Sequence, residues 1–331
     1  MDILKTLQTL NACHGPSGCE GDVAAAITKL ASPFADEITT DTLGNLMVHK
    51  KGNGPKIMFS AHMDSIGFIV THIEKEGFLR VGKVGGIHAS DVLATPVRFQ
   101  NGVRGLVSAT EGVDAKKLAV DDLFIDIGAK DEEQAKTMVT VGDTAVYDAP
   151  AFAAGDRFVS PYMDNRISCV VLLMALEALQ KSENDLYFVF SVQEEVGLRG
   201  ARTAAFGIDP DYGVAVDVTV GDDAPGTKHS CSSRIGGGAA IKVMDSSVIC
   251  HPQMVKTMKA LAEQGSIHHQ MDVITAGGTD AGAIHQTRAG VQTGGISIPC
   301  RYIHSPAELV DRGDVEACVK LVCAFAKAQL S

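Results

Sequence analysis

Five places in the chain set a carboxylate or an imidazole at or near an apolar run. FVFSVQ runs into Glu194 and Glu195. IMFSA runs into His62, with Asp64 two positions on. Asp164 stands in SPYMDNRIS before a strongly apolar segment, Asp217 lies inside VAVDVTV, and His304 closes CRYIHSP. Adjacent like charges repel, and burying either glutamate unpaired is costly, so something must hold a double negative charge at the mouth of a buried strand. His62 and Asp64 point the same way from an extended backbone. That lets the carboxylate reach the imidazole and fix its tautomer, a common arrangement behind metal ligands. Plainer readings exist for each residue: a loop histidine, a helix N-cap at Asp164, a salt bridge at Asp217, a solvated face for the glutamate pair. Asp217 resists most, because aspartate is disfavoured in strands and costly when buried.

Taken together, two histidines and several carboxylates form a mixed nitrogen and oxygen donor set of the kind that suits zinc, cobalt or manganese. A carboxylate shared by two ions, with one histidine and one further carboxylate on each, makes a two-metal site with ions roughly 3.5–4 Å apart. One glutamate of the pair would then be a ligand. Its neighbour, turned differently by the extended backbone, would handle protons, and the cations would let both coexist.

The elements that must position these groups alternate. Two amphipathic helices and a hairpin occupy the first fifty residues, and a short strand runs from Lys56 to Ala61. After a β-rich stretch, a helix is predicted over Asn165–Gln180, a strand over Leu186–Val192 and another over Tyr212–Val218. A helix over Pro252–Gln264, strands over Met271–Thr275 and Val291–Ile298, and a closing helix over Val315–Ala328 follow. Alternating strand and helix predicts an α/β sandwich. Between Gly67 and Ala154 the texture is short alternating runs and glycine-rich turns, with brief helical stretches near Asp114–Ala119 and Asp131–Thr137. A small β-rich module inserted into a split α/β domain accounts for this.

Bulk properties narrow the partners. A formal charge of −11 argues against nucleic acid and anionic membranes, which need a basic face. The longest apolar run, Cys169–Leu176, is far short of the roughly 20 residues of a membrane span. The start, MDILKTLQTLNACHG, lacks the features of a signal peptide. The eight cysteines show no C-x-x-C pair, which points to reduced thiols and a cytoplasmic enzyme. A glycosidase cleft relies on aromatic platforms, whereas this chain has no Trp and five Tyr. A catalytically silent metal-binding shell protein is a third reading.

SAHMDSIGFIV, YMDNRIS, SVQEEVGLRGA, AVDVT, MDSSVICHP, GGTDAGAIH and SIPCRYIHSP, in this order, span nearly the whole chain. In them the sequence resembles the tetrahedral aminopeptidases of peptidase family M42, a group of glutamyl, leucyl and deblocking aminopeptidases in which some members carry an endoglucanase label. The resemblance implies that Asp164 bridges two metals, that His62 and Asp217 complete one site, and that Glu195 and His304 complete the other. It implies Glu194 as general base and Asp64 as the partner of His62. It further implies a mixed-sheet α/β/α catalytic domain made of residues 1–66 and 155–331, interrupted by a barrel-like dimerisation domain over 67–154. Two divalent ions per subunit, zinc or cobalt with manganese also suited, would release N-terminal residues from short peptides. Dimers would build a tetrahedral dodecamer. Ser65 stands where the family usually carries glutamate, and Asn165 where aspartate also occurs.

Other stretches read locally as structure. Gly85-Gly86 and Gly236-Gly237-Gly238 are turns, Thr279-Asp280 opens and caps a helix although the resemblance places this loop near the substrate, and His268-His269 is surface. Arg301 either touches substrate or pairs with a carboxylate.

Overall fold

The computed structural model describes residues 1–228 and 230–330. Helices α1 (Ile3–Asn11) and α2 (Gly21–Ala31) lead into the hairpin β1 (Glu37–Thr40) and β2 (Leu46–Lys50), then β3 (Lys56–His62). Six strands follow: β4 (Gly67–Ile73), β5 (Leu79–Val84), β6 (Pro96–Phe99), β7 (Arg104–Ala109), β8 (Leu123–Asp126) and, after α3 (Glu132–Met138), β9 (Thr144–Tyr147). The chain returns through β10 (Phe152–Ala154) and β11 (Arg157–Ser160) to α4 (Met163–Ala178), β12 (Asp185–Ser191), α5 (Arg199–Ile208) and β13 (Tyr212–Val220). It ends with β14 (Ala239–Met244), α6 (Pro252–Gln264), β15 (His269–Val273), α7 (Ala281–Ile284), β16 (Gln292–Arg301), β17 (Glu308–Asp311) and α8 (Arg312–Ala326).

Strands β4 to β9 close into a barrel in the order β4-β5-β8-β7-β6-β9. Closure removes exposed sheet edges, and the barrel encloses a core of its own around Phe68, Val97, Phe99, Val107 and Ile125. All other strands of the described residues join one mixed sheet, with β10 paired to β11 at its edge. Its centre is parallel: β12 beside β3, β3 beside β13, and β13 beside β16.

Alternation along β3 builds the sandwich. Ile57, Phe59 and Ala61 face the core shared with α1, α2, α4, α6 and α8, while Met58 faces α5 and α7. Helix α4 is apolar almost all round (ISCVVLLMAL), and every residue from Asn165 to Leu173 is buried, as expected for a helix lodged against both the sheet and other helices. The fold is thus the α/β sandwich with a barrel-like insertion that the sequence predicts. Two details differ. The helical stretch expected near Asp114–Ala119 is only two 3-10 turns, Ala115–Lys117 and Val120–Asp122. The strand expected over Met271–Thr275 begins earlier, because its pairing with β14 sets Asp272 opposite Lys242. Among the described residues no helix is long and apolar enough to cross a membrane.

Candidate metal centre

Because β12, β3, β13 and β16 run parallel side by side, their carboxyl ends share one edge, the usual ligand crevice of an α/β sheet. His62 ends β3, Glu194 and Glu195 follow β12, Asp217 lies near the end of β13, and His304 follows β16. Asp164 arrives from the first turn of α4. It does not serve as the N-cap: Tyr162 occupies that position in the left-handed region, and Asp164 itself is non-helical at φ −77° and ψ 101°. The Asp164–Asn165 peptide bond is cis. Left-handed non-glycine residues gather around this edge, at Tyr162, Gln193, Leu198, Tyr302 and His304. Such backbone is tolerated where surrounding structure enforces it, often at functional sites.

The Asp164 carboxylate spans two imidazoles. Its Oδ1 lies 3.0 Å from His62 Nε2 and its Oδ2 lies 3.3 Å from His304 Nε2. His62 Nε2 is also 3.7 Å from Asp217 Oδ1 and 3.8 Å from Glu194 Oε2, while His304 Nε2 is 3.2 Å from Glu195 Oε2. Two groups among the described residues bring ligand-type atoms within 4.8 Å of one another: His62, Asp164 and Glu195, and His62, Glu194 and Asp217. All six of these side chains, His304 included, line a single cleft of about 450 Å³.

Asp64 is buried behind them. Its Oδ1 lies 3.3 Å from His62 Nδ1. The same carboxylate accepts the Ser17 hydroxyl at 2.6 Å and the backbone N–H groups of Glu194 at 3.0 Å and Glu195 at 3.3 Å. One buried aspartate therefore orients both the imidazole and the turn that carries the glutamate pair. Ser65, fully buried, donates its hydroxyl to the Gly15 carbonyl and stays out of the cleft. Asn165 donates to the Val216 carbonyl. Arg301 pairs with Asp223 at 2.7 Å, the structural one of its two readings.

The charges do not balance on their own. Burial raises the pKa of Glu194, Asp217 and Glu195, and neighbouring carboxylates add to it: Asp217 and Glu195 on Glu194, and Asp164 on both Asp217 and Glu195. Burial opposes charge on His62, but Glu194, Asp164, Asp64 and Asp217 outweigh it and raise its pKa. Burial likewise opposes His304, yet Asp164 and Glu195 push it up to about 11. Asp164 stays low despite burial, because both imidazoles contact it. Glu195 Oε1 is buried without a hydrogen-bond partner. A compact set of imidazole and carboxylate donors carrying excess buried negative charge fits divalent cations.

Three contributors escape a reading by sequence. Glu308 is buried, and its two oxygens accept the backbone N–H groups of Asp164 at 2.8 Å and His304 at 2.6 Å. Asp280 is no cap. Its carboxylate accepts the hydroxyls of Ser60 at 2.6 Å and Ser191 at 2.5 Å beneath the cleft. Gly86, read as a turn, lines the cleft against His304. Only the placement of Asp280 within GGTDAGAIH carried any signal.

The profile of the M42 glutamyl aminopeptidase family matches residues 44–321. The chain belongs to that family. It is 46% identical over 322 residues to a putative aminopeptidase of Acetivibrio thermocellus, covering 97% of each chain. Its M42 fold superposes on an aminopeptidase from the archaeon Desulfurococcus kamchatkensis with a TM-score of 0.94 at 39% identity, over 98% of this chain and 94% of the other. It also matches the Pyrococcus horikoshii TET1 peptidase, which can assemble into a tetrahedron or a large octahedral shell. There the TM-score is 0.90 at 32% identity, over 99% of this chain and 100% of the other. M42 membership, the fold and the two clusters of ligand-type side chains make the chain a hydrolase of the metallo-aminopeptidase class.

Proposed function

We propose that the cleft hydrolyses the N-terminal residue from short peptides, with His62 and Asp217 serving one divalent ion, Glu195 and His304 a second, and Asp164 both. The supporting observation is the Asp164 carboxylate, whose two oxygens face two different imidazoles. Ions held there would supply Lewis-acid polarisation of the scissile carbonyl and bring the pKa of water towards neutrality. Glu194, beside His62 and free of the Asp164–His304 contacts, takes a proton from the attacking water as its oxygen bonds to the carbonyl carbon. As the C–N bond breaks, Glu194 returns that proton to the leaving amine. Asp64 keeps His62 and the glutamate turn in register through this cycle. The free α-amino group of the substrate would pair with a carboxylate of the cleft, which would restrict cleavage to the first residue.

We also infer that residues 1–66 with 155–331 form the catalytic domain and that 67–154 provide a dimerisation surface, with zinc or cobalt as the ion. The separate barrel core, into which Ile66 and Tyr162 pack from the catalytic side, supports that division. Assembly into a tetrahedral dodecamer follows by analogy with the tetrahedron of the Pyrococcus horikoshii peptidase and the dodecamer of PhTET1-12s. All eight cysteines are free thiols, in keeping with a cytoplasmic setting. The test is a panel of aminoacyl chromogenic substrates run beside cellulose, with zinc, cobalt or manganese and with chelator. Metal-dependent release of the amino-terminal residue supports the reading. Chelator-resistant cleavage of cellulose, or no turnover with metals bound, contradicts it.

A further inference from the structure

Away from its metal-facing side chains, the cleft wall carries no charged group among the described residues. Leu198, Val218, Val220 and Ile274 line it, and its hydroxyl side chains are Thr219 and Thr279. Both hydroxyls are engaged elsewhere. Thr219 Oγ1 donates to Asp272 Oδ1 at 2.9 Å, and Thr279 Oγ1 donates to Asp245 Oδ2 at 3.1 Å. A hydroxyl has one hydrogen to give, so neither threonine offers a donor to substrate.

The two aspartates are both fully or nearly fully buried, and they converge on Lys242, itself only 1% exposed. Lys242 Nζ lies 2.6 Å from Asp272 Oδ2 and 3.9 Å from Asp245 Oδ2. The remaining oxygens are also occupied: Ser233 donates to Asp272 Oδ1, and Ser247 and Val248 donate to Asp245 Oδ1. The sheet makes room for the lysine stem, because a Cβ at Gly295 on β16 would sit 2.9 Å from Lys242 Cβ. A charge this deep is tolerated only when paired. Here its pairs reach two separate walls, the end of β13 just past Asp217 and the loop just before Asp280.

We propose that the cleft selects an uncharged, apolar N-terminal side chain, and that Lys242 sets this choice as a positioning residue, holding Thr219 and Thr279 in the wall through Asp272 and Asp245. The inference rests on the aminopeptidase reading. A glutamyl or lysyl side chain would surrender its hydration to a wall without a counter-charge, whereas a leucyl or methionyl side chain gains by burial. Discrimination of this kind is exerted through kcat/KM.

The experiment compares leucyl, methionyl, glutamyl and lysyl p-nitroanilides on the full chain with zinc or cobalt restored. The expected result is kcat/KM at least about tenfold higher for the apolar pair. Equal or better cleavage of a charged substrate overturns the inference while leaving the aminopeptidase reading intact; cleavage of none overturns that reading itself. For Lys242→Met, KM for the leucyl substrate should rise several-fold, with kcat within about threefold and metal content unchanged. Should that variant fail to fold, Asp245→Asn and Thr279→Val carry the same expectation, and Thr279→Ser, which keeps the hydroxyl, should restore the wild-type KM. An unchanged KM and unchanged substrate preference across these variants would overturn the role of Lys242.

Discussion

Gly86 and His304 are packed so closely that a Cβ at position 86 would lie 2.8 Å from Nδ1 of the imidazole. Beside it, a Cβ at Gly85 would lie 3.1 Å from Glu195 Cβ. The glycines follow β5 of the barrel, while the histidine and glutamate belong to the edge of the large sheet, so the barrel loop closes over one end of the metal-facing cluster.

Gly86→Ala should therefore push the His304 ring away from Asp164 and Glu195. Metal content by plasma emission should fall from two towards one per chain, and kcat/KM should drop by more than about tenfold, with the far-UV circular dichroism unchanged. Full occupancy and full activity would show that the imidazole accommodates the extra carbon.

Glu308 fixes the backbone of two proposed ligands at once, with one carboxylate oxygen on each N–H. Glu308→Ala removes both acceptors and should weaken metal binding by about 10- to 100-fold in calorimetric titration, the usual cost of losing a group that orients ligands. Glu308→Gln retains one oxygen and should fall between. Unaltered metal affinity in Glu308→Ala would reduce the residue to a structural carboxylate.

The junction between the α1–α2 turn and the barrel contains a buried histidine. His14 Nε2 is 2.8 Å from the Thr144 hydroxyl on β9. Burial, reinforced by Arg98 and Arg166, lowers its pKa from 6.5 to about 4. The unfolded chain thus takes up this proton first as the solution is acidified. The contribution to stability is complete above about 6.5 and is lost as pH falls through about 4. In His14→Gln the melting temperature should vary less between pH 7 and pH 4, by a few degrees. Parallel melting curves for the two proteins would contradict the assignment.

Glu194 is the proposed proton carrier. Glu194→Gln preserves the side-chain shape but removes the basic oxygen, so kcat should fall by at least about 10²- to 10⁴-fold while two metals remain bound. Loss of both metals together would count against the role.

Much of this centre was legible before folding, because polar groups stranded at the ends of apolar runs betray their cost. His62, Asp64, Asp164, Glu194, Glu195, Asp217 and His304 all announce themselves that way, and the alternation of strand and helix gives the sandwich that gathers them. Glu308 does not, since a glutamate in SPAELV reads as a solvated face until the backbones of Asp164 and His304 are brought to it. Gly86 looked like a turn because close approach across two parts of the fold leaves no local trace. Lys242 follows the same rule for one of its partners: Asp245 is only three residues on, whereas Asp272 lies on β15 and comes opposite only through the β14–β15 register.

In the proposed centre one aspartate, Asp164, serves two cations. Metal stoichiometry of Asp164→Asn beside the wild type, by plasma emission after dialysis against zinc or cobalt, tests it most directly. The wild type should hold two ions per chain and the variant should lose affinity at both positions with turnover nearly abolished. A variant that still binds two ions with wild-type affinity would contradict the shared carboxylate.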